Sequence, residues 1–475
     1  MKRVSHRLDP PLHFGTSGWR GVLGEEFTLP RLRALVRGAT AWFREQGGGE
    51  VVVAYDTRFQ AERMAVQVAQ LVRDAGLAPV MGRTALPTPC AVRAVVRRRA
   101  VGALVLTASH NPPEYQGLKV FGRHGGIDIA EARRIEGLAA RAASDLPSGP
   151  LPAARFDLRG SYVRELVRLL NGDRLARARP RIVYDAMHGA GAGVADTVLG
   201  ALGARVEVLR GERVPDFGGK APDPTTRACR ELRRTLRRVR GARLGVATDG
   251  DADRFAALDA TGRALSETQA LAVLVDHCAR TRSLQGGVAL SVATGALVER
   301  VAVSHGLPVT RHPIGFKHFR PLLNSREAEL AGDESGGFAW GRFHPDKDGI
   351  LAAGLLAEAV AVGPSLASRL QALERRHGRS HCGRVAAPCD PRASERLAGL
   401  MRRPPGRVDG ERVRGVSTED GLHLGLDDGF LMLRASGTEP VLRVYAEAPT
   451  RRDLARRLAR GAALLGSVGV SPDSR

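Results

Sequence analysis

A chain of 475 residues exceeds one ordinary core, and domains of roughly 100–200 residues predict three or four of them. The composition, 43% apolar, is that of a globular protein, and no apolar run reaches the roughly 20 residues that span a bilayer, so we expect no membrane association and a cytoplasmic location. The formal charge of +22 comes mainly from arginines scattered along the chain, and only 4% of residues are aromatic, which argues against a dedicated nucleic-acid-binding protein while still favouring anionic substrates.

Most of the chain alternates short apolar runs with longer amphipathic segments, the pattern of α/β units. Three such sets follow one another. The predicted strands are Val51–Tyr55, Val101–Leu106, Arg181–Tyr184, Leu244–Thr248 and Val288–Val292. The predicted helices are Ala61–Ala75, Ala195–Leu202 and Leu297–His305. The sequence therefore predicts three similar α/β units with buried strands.

The last hundred or so residues have a different pattern. Two strand-like pieces, Phe430–Arg434 and Leu442–Ala446, precede a basic helix at Arg451–Leu465, which predicts a smaller C-terminal α+β domain. Proline, glycine and polar stretches interrupt the chain near residues 147–150, 259–262 and 377–383. We therefore predict domains at residues 1–149, 150–258, 259–376 and 377–475.

The first candidate motif is Thr107–Pro112, directly after a predicted strand. Its Asn-Pro step enforces a turn, which puts Ser109 at the exposed end of the strand with His110 beside it. A hydrolase nucleophile elbow would need glycines where Thr107 and Asn111 stand. From these residues alone, a reactive serine and a plain polar loop both remain open.

The second motif places Asp249, Asp251 and Asp253 at the end of another predicted strand. Three alternating carboxylates supply the hard oxygen ligands that Mg²⁺ prefers, and such a cluster is costly without a cation. A calcium loop would need glycine and glutamate where Arg254 and Ala260 stand. A magnesium site is the preferred interpretation, and a solvated acidic turn is the alternative.

The third motif, Gly332–Gly337, is a small turn that carries Asp333, Glu334 and Ser335. Carboxylates and a hydroxyl suit the hydroxyl groups of a sugar. Because turns of this composition are common on protein surfaces, the motif is weak evidence by itself.

The fourth motif, Arg434–Pro440, combines an arginine, two hydroxyl side chains and a glycine. The arginine fork and a tight backbone turn form a suitable cradle for phosphate. A polar turn without a ligand is the alternative for this motif alone.

In this order the four motifs resemble those of the α-D-phosphohexomutase family, which includes phosphoglucomutase, phosphomannomutase and phosphoglucosamine mutase. The likeness covers almost the whole chain. It is carried by Phe14–Gly21, Gly315–Lys317, Lys347–Gly349 and Arg434–Pro440, together with the serine, aspartate and sugar-loop motifs. The resemblance implies four domains around a central cleft, the first three being similar α/β units.

The resemblance also implies roles for residues. Ser109 would carry the transferable phosphate and complete a Mg²⁺ shell with Asp249, Asp251 and Asp253. Arg254 would lie beside that phosphate and His110 next to the serine, and Lys119 and His110 are the candidates for proton transfer. The implied substrate-binding residues are Arg20, Lys317, Asp333, Glu334, Ser335, Lys347, Arg434, Ser436, Gly437 and Thr438.

One position departs from the family pattern. The sugar loop of the family usually reads Gly-Glu-x-Ser, whereas Asp333 stands at the glutamate position here. Because aspartate is one methylene shorter, either the backbone approaches the sugar more closely or Glu334 contributes.

The implied activity interconverts hexose 1-phosphate and hexose 6-phosphate through a phosphoserine enzyme and a hexose 1,6-bisphosphate, which also serves as activator. Ser17 stands where glucosamine mutases typically carry aspartate, so glucose is the predicted sugar and mannose the second choice. Phosphoglucosamine mutase and a Mg²⁺-dependent sugar phosphatase are the alternatives. Haloacid-dehalogenase-type phosphatases need Asp-x-Asp-x-Thr/Val, and Arg254-Phe255 follows Asp253 instead. We expect small hexose phosphates as partners and a monomer or homodimer.

Overall fold

Four main β-sheets follow one another along the chain, each formed by consecutive strands and accompanied by helices. The structure is a computed structural model that describes residues 12–15, 18–142, 145–147, 155–361, 363–388, 391–435 and 441–466. Within these ranges the predicted strands and helices are confirmed, with ends that shift by at most a few residues. The chain is an α/β protein with a smaller C-terminal α+β domain.

The first sheet has the strand order β1-β5-β4-β2-β3-β7, with β6 beside β5. Its strands are β1 (Trp19–Val22), β2 (Glu50–Tyr55), β3 (Ala78–Gly82), β4 (Gly102–Leu106), β5 (Tyr115–Gly122), β6 (Gly125–Gly126) and β7 (Arg155–Phe156). Its helices are α1 (Leu29–Glu45), α2 (Ala61–Asp74), α3 (Thr88–Arg98) and α4 (Ile129–Ala139). Strand β7 follows the predicted domain limit at residue 149 but pairs with β3, so it belongs to the first sheet.

The second sheet has the order β11-β10-β8-β9. Its strands are β8 (Arg181–Asp185), β9 (Arg205–Leu209), β10 (Ala242–Thr248) and β11 (Phe255–Asp259). The helices of this region are α5 (Leu158–Leu169), α6 (Gly172–Ala178), α7 (Ala195–Ala201) and α8 (Arg230–Arg238). Strand β11 forms one edge of the sheet and pairs with its neighbour β10 in the antiparallel direction.

The third sheet has the order β13-β12-β14-β15. Its strands are β12 (Gly287–Ser291), β13 (Val309–His312), β14 (Ala328–Gly332) and β15 (Phe338–Trp340). Its helices are α9 (Glu267–Thr281), α10 (Ala296–Ser304), α11 (Arg320–Ser325), α12 (Gly349–Ala361) and α13 (Leu366–His377), with a single 3₁₀ turn at Phe316–His318.

The fourth sheet is antiparallel, in the order β16-β22-β21-β20-β19. Its strands are β16 (His381–Pro388), β19 (Gly415–Ser417), β20 (Leu422–Leu426), β21 (Gly429–Ala435) and β22 (Val441–Ala448), and a separate hairpin joins β17 (Arg407–Val408) to β18 (Glu411–Arg412). Its helices are α14 (Pro391–Arg402) and α15 (Arg451–Leu464).

The first three units share one topology. The runs β3-β2-β4-β5, β9-β8-β10-β11 and β13-β12-β14-β15 each contain three parallel strands and a fourth, antiparallel strand at the end. In every case the connection from the third strand to the fourth carries a predicted motif. Ser109 lies between β4 and β5, the aspartates between β10 and β11, and Asp333 between β14 and β15. The repeated topology therefore gives the three motifs equivalent positions.

Helix α12 joins the second and third units. All 13 of its residues are buried, and most of its apolar side chains belong to a hydrophobic core that also includes residues of the first two units. A helix that is buried on every face needs neighbours on every side, and its single charged residue, Glu358, is paired with Arg282 and His277. None of the helices in the described ranges has by itself the length and apolar composition of a membrane span; α12 and α13 reach them only when the two are counted together across the bend between them.

Candidate active site

Ser109 has a constrained backbone and a defined hydroxyl partner. Its φ of +53° lies in the left-handed region, which non-glycine residues rarely adopt, and its side chain is buried. Ser109 Oγ donates to Asp249 Oδ2 at 2.6 Å, and His110 Nδ1 lies 3.5 Å from Ser109 Oγ. The structure therefore brings the serine of the first motif against the first aspartate of the second.

Arg58, which the sequence analysis missed, holds the serine loop in place. Its guanidinium donates to four backbone carbonyls at 2.6–2.9 Å, those of Ser109, Asn111, Pro112 and Tyr115. Asp56 lies 3.3 Å from its Nε, and burial raises the pKa of Asp56 to about 6 although Arg58 opposes the rise. The available signal was the charged pair Asp56-x-Arg58 at the end of buried strand β2, the same sheet edge as Ser109.

The three aspartates form a buried cluster that fits a divalent cation. One carboxylate oxygen from each of Asp249, Asp251 and Asp253 lies within 4.8 Å of the others. The buried Oδ1 atoms of Asp251 and Asp253 have no hydrogen-bond partner. Buried acceptors without donors are costly, and hard oxygen ligands at this spacing match the preference of Mg²⁺. The trio could therefore hold a metal ion.

Two lysines offset the charge of the cluster. Lys119 Nζ donates to Asp251 Oδ2 and to Asp253 Oδ2, both at 2.6 Å, and Lys347 Nζ lies 3.2 Å from Asp253. Burial lowers the pKa of Lys119, but the two carboxylates outweigh that effect and hold it above its usual value. Lys119 is therefore an ammonium ion in this arrangement.

The carboxylates themselves respond in opposite directions. Burial, followed by the charges of Asp253 and Asp251, raises the pKa of Asp249. Burial acts in the same direction on Asp253, yet Lys119 and Lys347 lower its pKa below the usual range. The cluster thus concentrates negative charge on the side of the lysines.

Arg20 and Arg254 place positive charge near the serine loop. Arg20 Nη1 donates to Asn111 Oδ1 at 2.6 Å, and the backbone N–H of Arg254 donates to Asp249 Oδ1 at 3.0 Å. Burial and then the charge of Arg254 lower the pKa of Arg20 to about 10. Both arginines therefore remain cationic at neutral pH, beside the serine and the acidic cluster.

In the sugar-loop motif, the carboxylate of Asp333 is occupied within its own turn. Its Oδ1 accepts from the N–H of Ser335 at 2.9 Å, from Ser335 Oγ at 2.7 Å and from the N–H of Gly337 at 2.9 Å. Glu334 has a separate partner, Ser291 Oγ, at 2.5 Å, and burial raises its pKa with help from Asp333. The carboxylate of Asp333 therefore stabilises its own turn, whereas the carboxylate of Glu334 bonds outside the turn, to Ser291.

Backbone contacts join the sugar loop to the aspartate loop. Phe255 N–H donates to the carbonyl of Gly336 at 3.2 Å, and Arg254 and Gly337 form an antiparallel bridge. The N–H of Gly349, two positions after Lys347, donates to the carbonyl of Ala252 at 3.1 Å. The second and third units thus hold their motifs together through main-chain contacts.

Arg434 lies at the boundary between the third and fourth domains. Its Nε donates to Asp420 Oδ1 at 2.6 Å, and Asp420 Oδ2 accepts from the N–H of Ile314 at 2.7 Å. Burial and then the charge of Arg434 lower the pKa of Lys317, so these two cations are near neighbours. Asp420 was missed by the sequence analysis. Ser436, Gly437 and Thr438 lie outside the described residues, as does Ser17 of the N-terminal motif.

A cavity of about 370 Å³ lies between the first and third domains. Its walls include all three predicted lysines, Lys119, Lys317 and Lys347, and the metal-cluster residue Asp253. Such a cavity has the size expected for a small-molecule site. The described part of the chain thus places three lysine ammonium groups next to the acidic cluster, in a cavity that the carboxylates of Asp128, Glu136 and Asp346 also line.

Comparison with known proteins gives matches along almost the whole chain. Residues 11–145, 160–262 and 266–377 match the "Phosphoglucomutase/phosphomannomutase, alpha/beta/alpha" domains I, II and III, and residues 384–464 match the C-terminal domain of the same family. All four domains of one family therefore occur here in order.

Individual relatives carry several activity names. The chain is 31% identical to a "Probable phosphoglucosamine mutase" of Methanothermobacter thermautotrophicus, over 95% of this chain and 96% of the relative. It is 28% identical to a phosphoglucomutase/phosphomannomutase of Thermococcus kodakarensis, over 95% and 98%. A Thermus thermophilus crystal structure of a protein named as a phosphomannomutase matches with a TM-score of 0.85 and 31% identity, over 96% and 99%.

Proposed function

The chain belongs to the phosphoglucomutase/phosphomannomutase family of mutases, and we propose that it interconverts hexose 1-phosphates and hexose 6-phosphates through a phosphoserine at Ser109. The single observation that carries this proposal is the 2.6 Å contact between Ser109 Oγ and Asp249, a member of the acidic trio. A hydroxyl at the edge of a metal-ligating cluster is positioned for phosphoryl transfer.

In the proposed reaction, the bond between phosphorus and Ser109 Oγ breaks as a bond forms between phosphorus and a free sugar hydroxyl. The hydroxyl proton passes to a base. When the other phosphoryl group of the bisphosphate then returns to Ser109 Oγ, its bond to the sugar oxygen breaks and that oxygen takes a proton from an acid. His110, 3.5 Å from Oγ, and Lys119 are the candidates for these proton transfers. The product of the first transfer is a hexose 1,6-bisphosphate, which would also load Ser109 before the first turnover.

Asp249, Asp251 and Asp253 would hold Mg²⁺, which when bound offsets negative charge on the transferring phosphoryl oxygens. The chain's own cations would act alongside it. Arg20 and Arg254 lie on the serine side of the cluster, and Lys347 contacts Asp253. Fixed positive charge around a transferring phosphoryl group lowers the barrier without a reorganisation cost.

The non-reacting phosphate would bind at Arg434 and Lys317, with Ser436, Gly437 and Thr438 completing the cradle. Support comes from the position of Arg434, whose Nε donates to Asp420 Oδ1, a contact that fixes the guanidinium plane close to Lys317. The sugar hydroxyls would contact the Asp333–Ser335 turn. Glu334 would supply the longer carboxylate side chain that the family usually has at the position of Asp333.

Two sugars are supported about equally. Ser17 favours glucose, with mannose as the second choice, whereas several relatives are named phosphoglucosamine mutases. We propose glucose as the first candidate and glucosamine as the alternative to glucose and mannose. We further propose a cytoplasmic enzyme that acts as a monomer or homodimer on small hexose phosphates.

The test uses the purified full chain with Mg²⁺ and a trace of glucose 1,6-bisphosphate. Glucose, mannose and glucosamine 1-phosphates are offered in parallel, and both the 6-phosphate product and inorganic phosphate are measured. We expect 6-phosphate formation with little free phosphate, and loss of turnover in Ser109→Ala but not in the control Ser161→Ala. Stoichiometric release of inorganic phosphate would instead identify the phosphatase alternative.

A further inference from the structure

A second cavity, of about 570 Å³, lies where the second, third and fourth domains meet. Its walls come from edge strand β11 and helix α8, from the start of α9, and from α15. Of the residues assigned to the candidate active site, its lining includes only Ser335. The cavity is therefore distinct from the space next to Ser109, although it reaches the sugar loop at Ser335.

Four arginines line this cavity without carboxylate partners. They are Arg233, Arg237, Arg263 and Arg451. Within the described ranges, no carboxylate oxygen lies within 4.0 Å of their side-chain nitrogens, whereas neighbouring Arg238 pairs with Glu207 at 3.1 Å. Guanidinium groups in a partly enclosed space have a strong preference for phosphate or carboxylate anions.

Two of these arginines are held in fixed orientations by the turn after β11. Arg233 Nε donates to the carbonyl of Gly262 at 3.0 Å, and Arg237 Nε donates to the carbonyl of Thr261 at 3.1 Å. Gly262 has a φ of +81°, and a Cβ there would lie 2.7 Å from Arg233 Cγ. Because the Nε atoms are already bonded, the η-nitrogens are oriented before any ligand arrives, which lowers the entropy cost of binding.

The charge balance of the walls favours an anion. Asp223 and Glu267 also line the cavity, so four guanidinium groups face two carboxylates. This excess of positive charge affects the pKa of His381, which precedes the wall residue Cys382. Burial lowers the pKa of His381, and the charges of Arg451, Arg379 and Arg263 lower it further, with Glu374 opposing. Positive charge therefore converges on this junction from separate elements.

We propose that this cavity binds a small phosphorylated anion that links the second domain to the fourth. Arg233 and Arg237 belong to the second domain and Arg451 to the fourth, so one phosphate-bearing ligand can contact both. Such a ligand restrains the fourth domain, which carries Arg434, and touches the sugar loop at Ser335. The site would thus couple the level of a phosphorylated metabolite to substrate binding.

The experiment titrates pyrophosphate into the full chain by calorimetry, without divalent metal and at constant ionic strength. An Arg434→Gln background weakens anion binding in the active site, so that the second cavity dominates. In that background Arg237→Gln/Arg451→Gln is compared with Arg234→Gln/Arg452→Gln. The control pair comes from the same two helices, with Arg234 three positions before Arg237 and Arg452 one position after Arg451, and it removes the same charge, but neither residue lines the cavity.

We expect pyrophosphate to bind at least tenfold more weakly to the cavity variant and within twofold of the parent to the control. Equal affinity in all three proteins, or equal loss in both pairs, would overturn the proposal, the latter by indicating diffuse surface charge. Should the double variant fail to fold, Arg451→Gln alone must still weaken binding at least threefold, because Arg451 is exposed and its loss leaves the core intact. Parallel titrations with inorganic phosphate and glycerol 3-phosphate distinguish free from esterified phosphate.

Discussion

Ser109 Oγ and Asp249 Oδ2 lie 2.6 Å apart although 140 positions separate them in the chain. The two residues follow equivalent strands of two units with the same topology, β4 and β10. Gly250 makes the approach possible, since a Cβ at this position would lie 2.5 Å from the carbonyl oxygen of Ser109. The contact between the units is thus a main-chain fit as well as a polar one.

Asp249→Asn is expected to separate metal binding from folding. The amide keeps an acceptor for the N–H of Arg254 but cannot take on the negative charge that a cation would share with Asp251 and Asp253. Without metal, burial raises the pKa of Asp249, so the parent already carries little charge there and we expect the variant to melt within a few degrees of the parent. Its stabilisation by Mg²⁺ should be lost and its mutase rate reduced by about 10²-fold or more.

Thermal melts in EDTA and across a Mg²⁺ series measure this prediction, with exposed Asp173→Asn as the matched control. If Mg²⁺ raised the melting temperature of Asp249→Asn as much as that of the parent, the trio would not be the metal site.

Arg58→Lys is expected to impair catalysis more than folding. A lysine ammonium cannot reach four carbonyls spread over the serine loop in the way that the guanidinium fork does. Ser109 would then leave its left-handed backbone conformation part of the time, and a displacement of about 1 Å costs about 10²-fold in rate. We expect kcat to fall by about this factor, with a smaller change in KM.

Steady-state kinetics and the rate of Ser109 phosphorylation by glucose 1,6-bisphosphate measure the effect, with exposed Arg63→Lys as the control. An unchanged kcat would show that the loop holds its shape without Arg58.

Local sequence was enough for the elements and the motif loops, because a strand followed by a turn leaves its signature within a few residues. Ser109 and the three aspartates were found in this way. Arg58 and Asp420 were missed because their roles depend on partners at positions 109–115 and 314, which only the folded chain brings near. The sequence also could not predict that the carboxylate of Asp333 bonds within its own turn. The same residues are equally compatible with a carboxylate that faces the sugar, and only the three-dimensional structure distinguishes the two orientations.

Asp420→Asn is expected to raise KM for hexose phosphates about five- to tenfold while kcat changes less than threefold. Asp420 orients Arg434 and at the same time accepts the N–H of Ile314 in the third domain. An asparagine can satisfy the N–H of Ile314, but its amide group then faces the Arg434 Nε donor, so the guanidinium loses its fixed orientation.

The matched control is Asp427→Asn in the same domain, where an exposed carboxylate pairs with Arg414 at 2.7 Å. Such an exposed ion pair contributes little to the structure, so the KM of Asp427→Asn should remain close to the parent value. Equal KM values for the Asp420 and Asp427 variants would remove Asp420 from any role in substrate positioning.

Asp56 is expected to make stability depend on pH in the acid range. Its pKa is raised from 3.8 in the unfolded chain to about 6 by burial, so between these values the folded state binds the proton more tightly than the unfolded state. The free energy of unfolding contributed by this group therefore falls as pH rises through that window and is constant above it. The decrease is at most about 3 kcal/mol, and Asp56→Asn, which cannot titrate, should lack it. Denaturant unfolding curves of both proteins at pH 4.5, 6 and 7.5 measure the difference between their free energies of unfolding. The same difference at all three pH values would show that Asp56 stays ionised throughout.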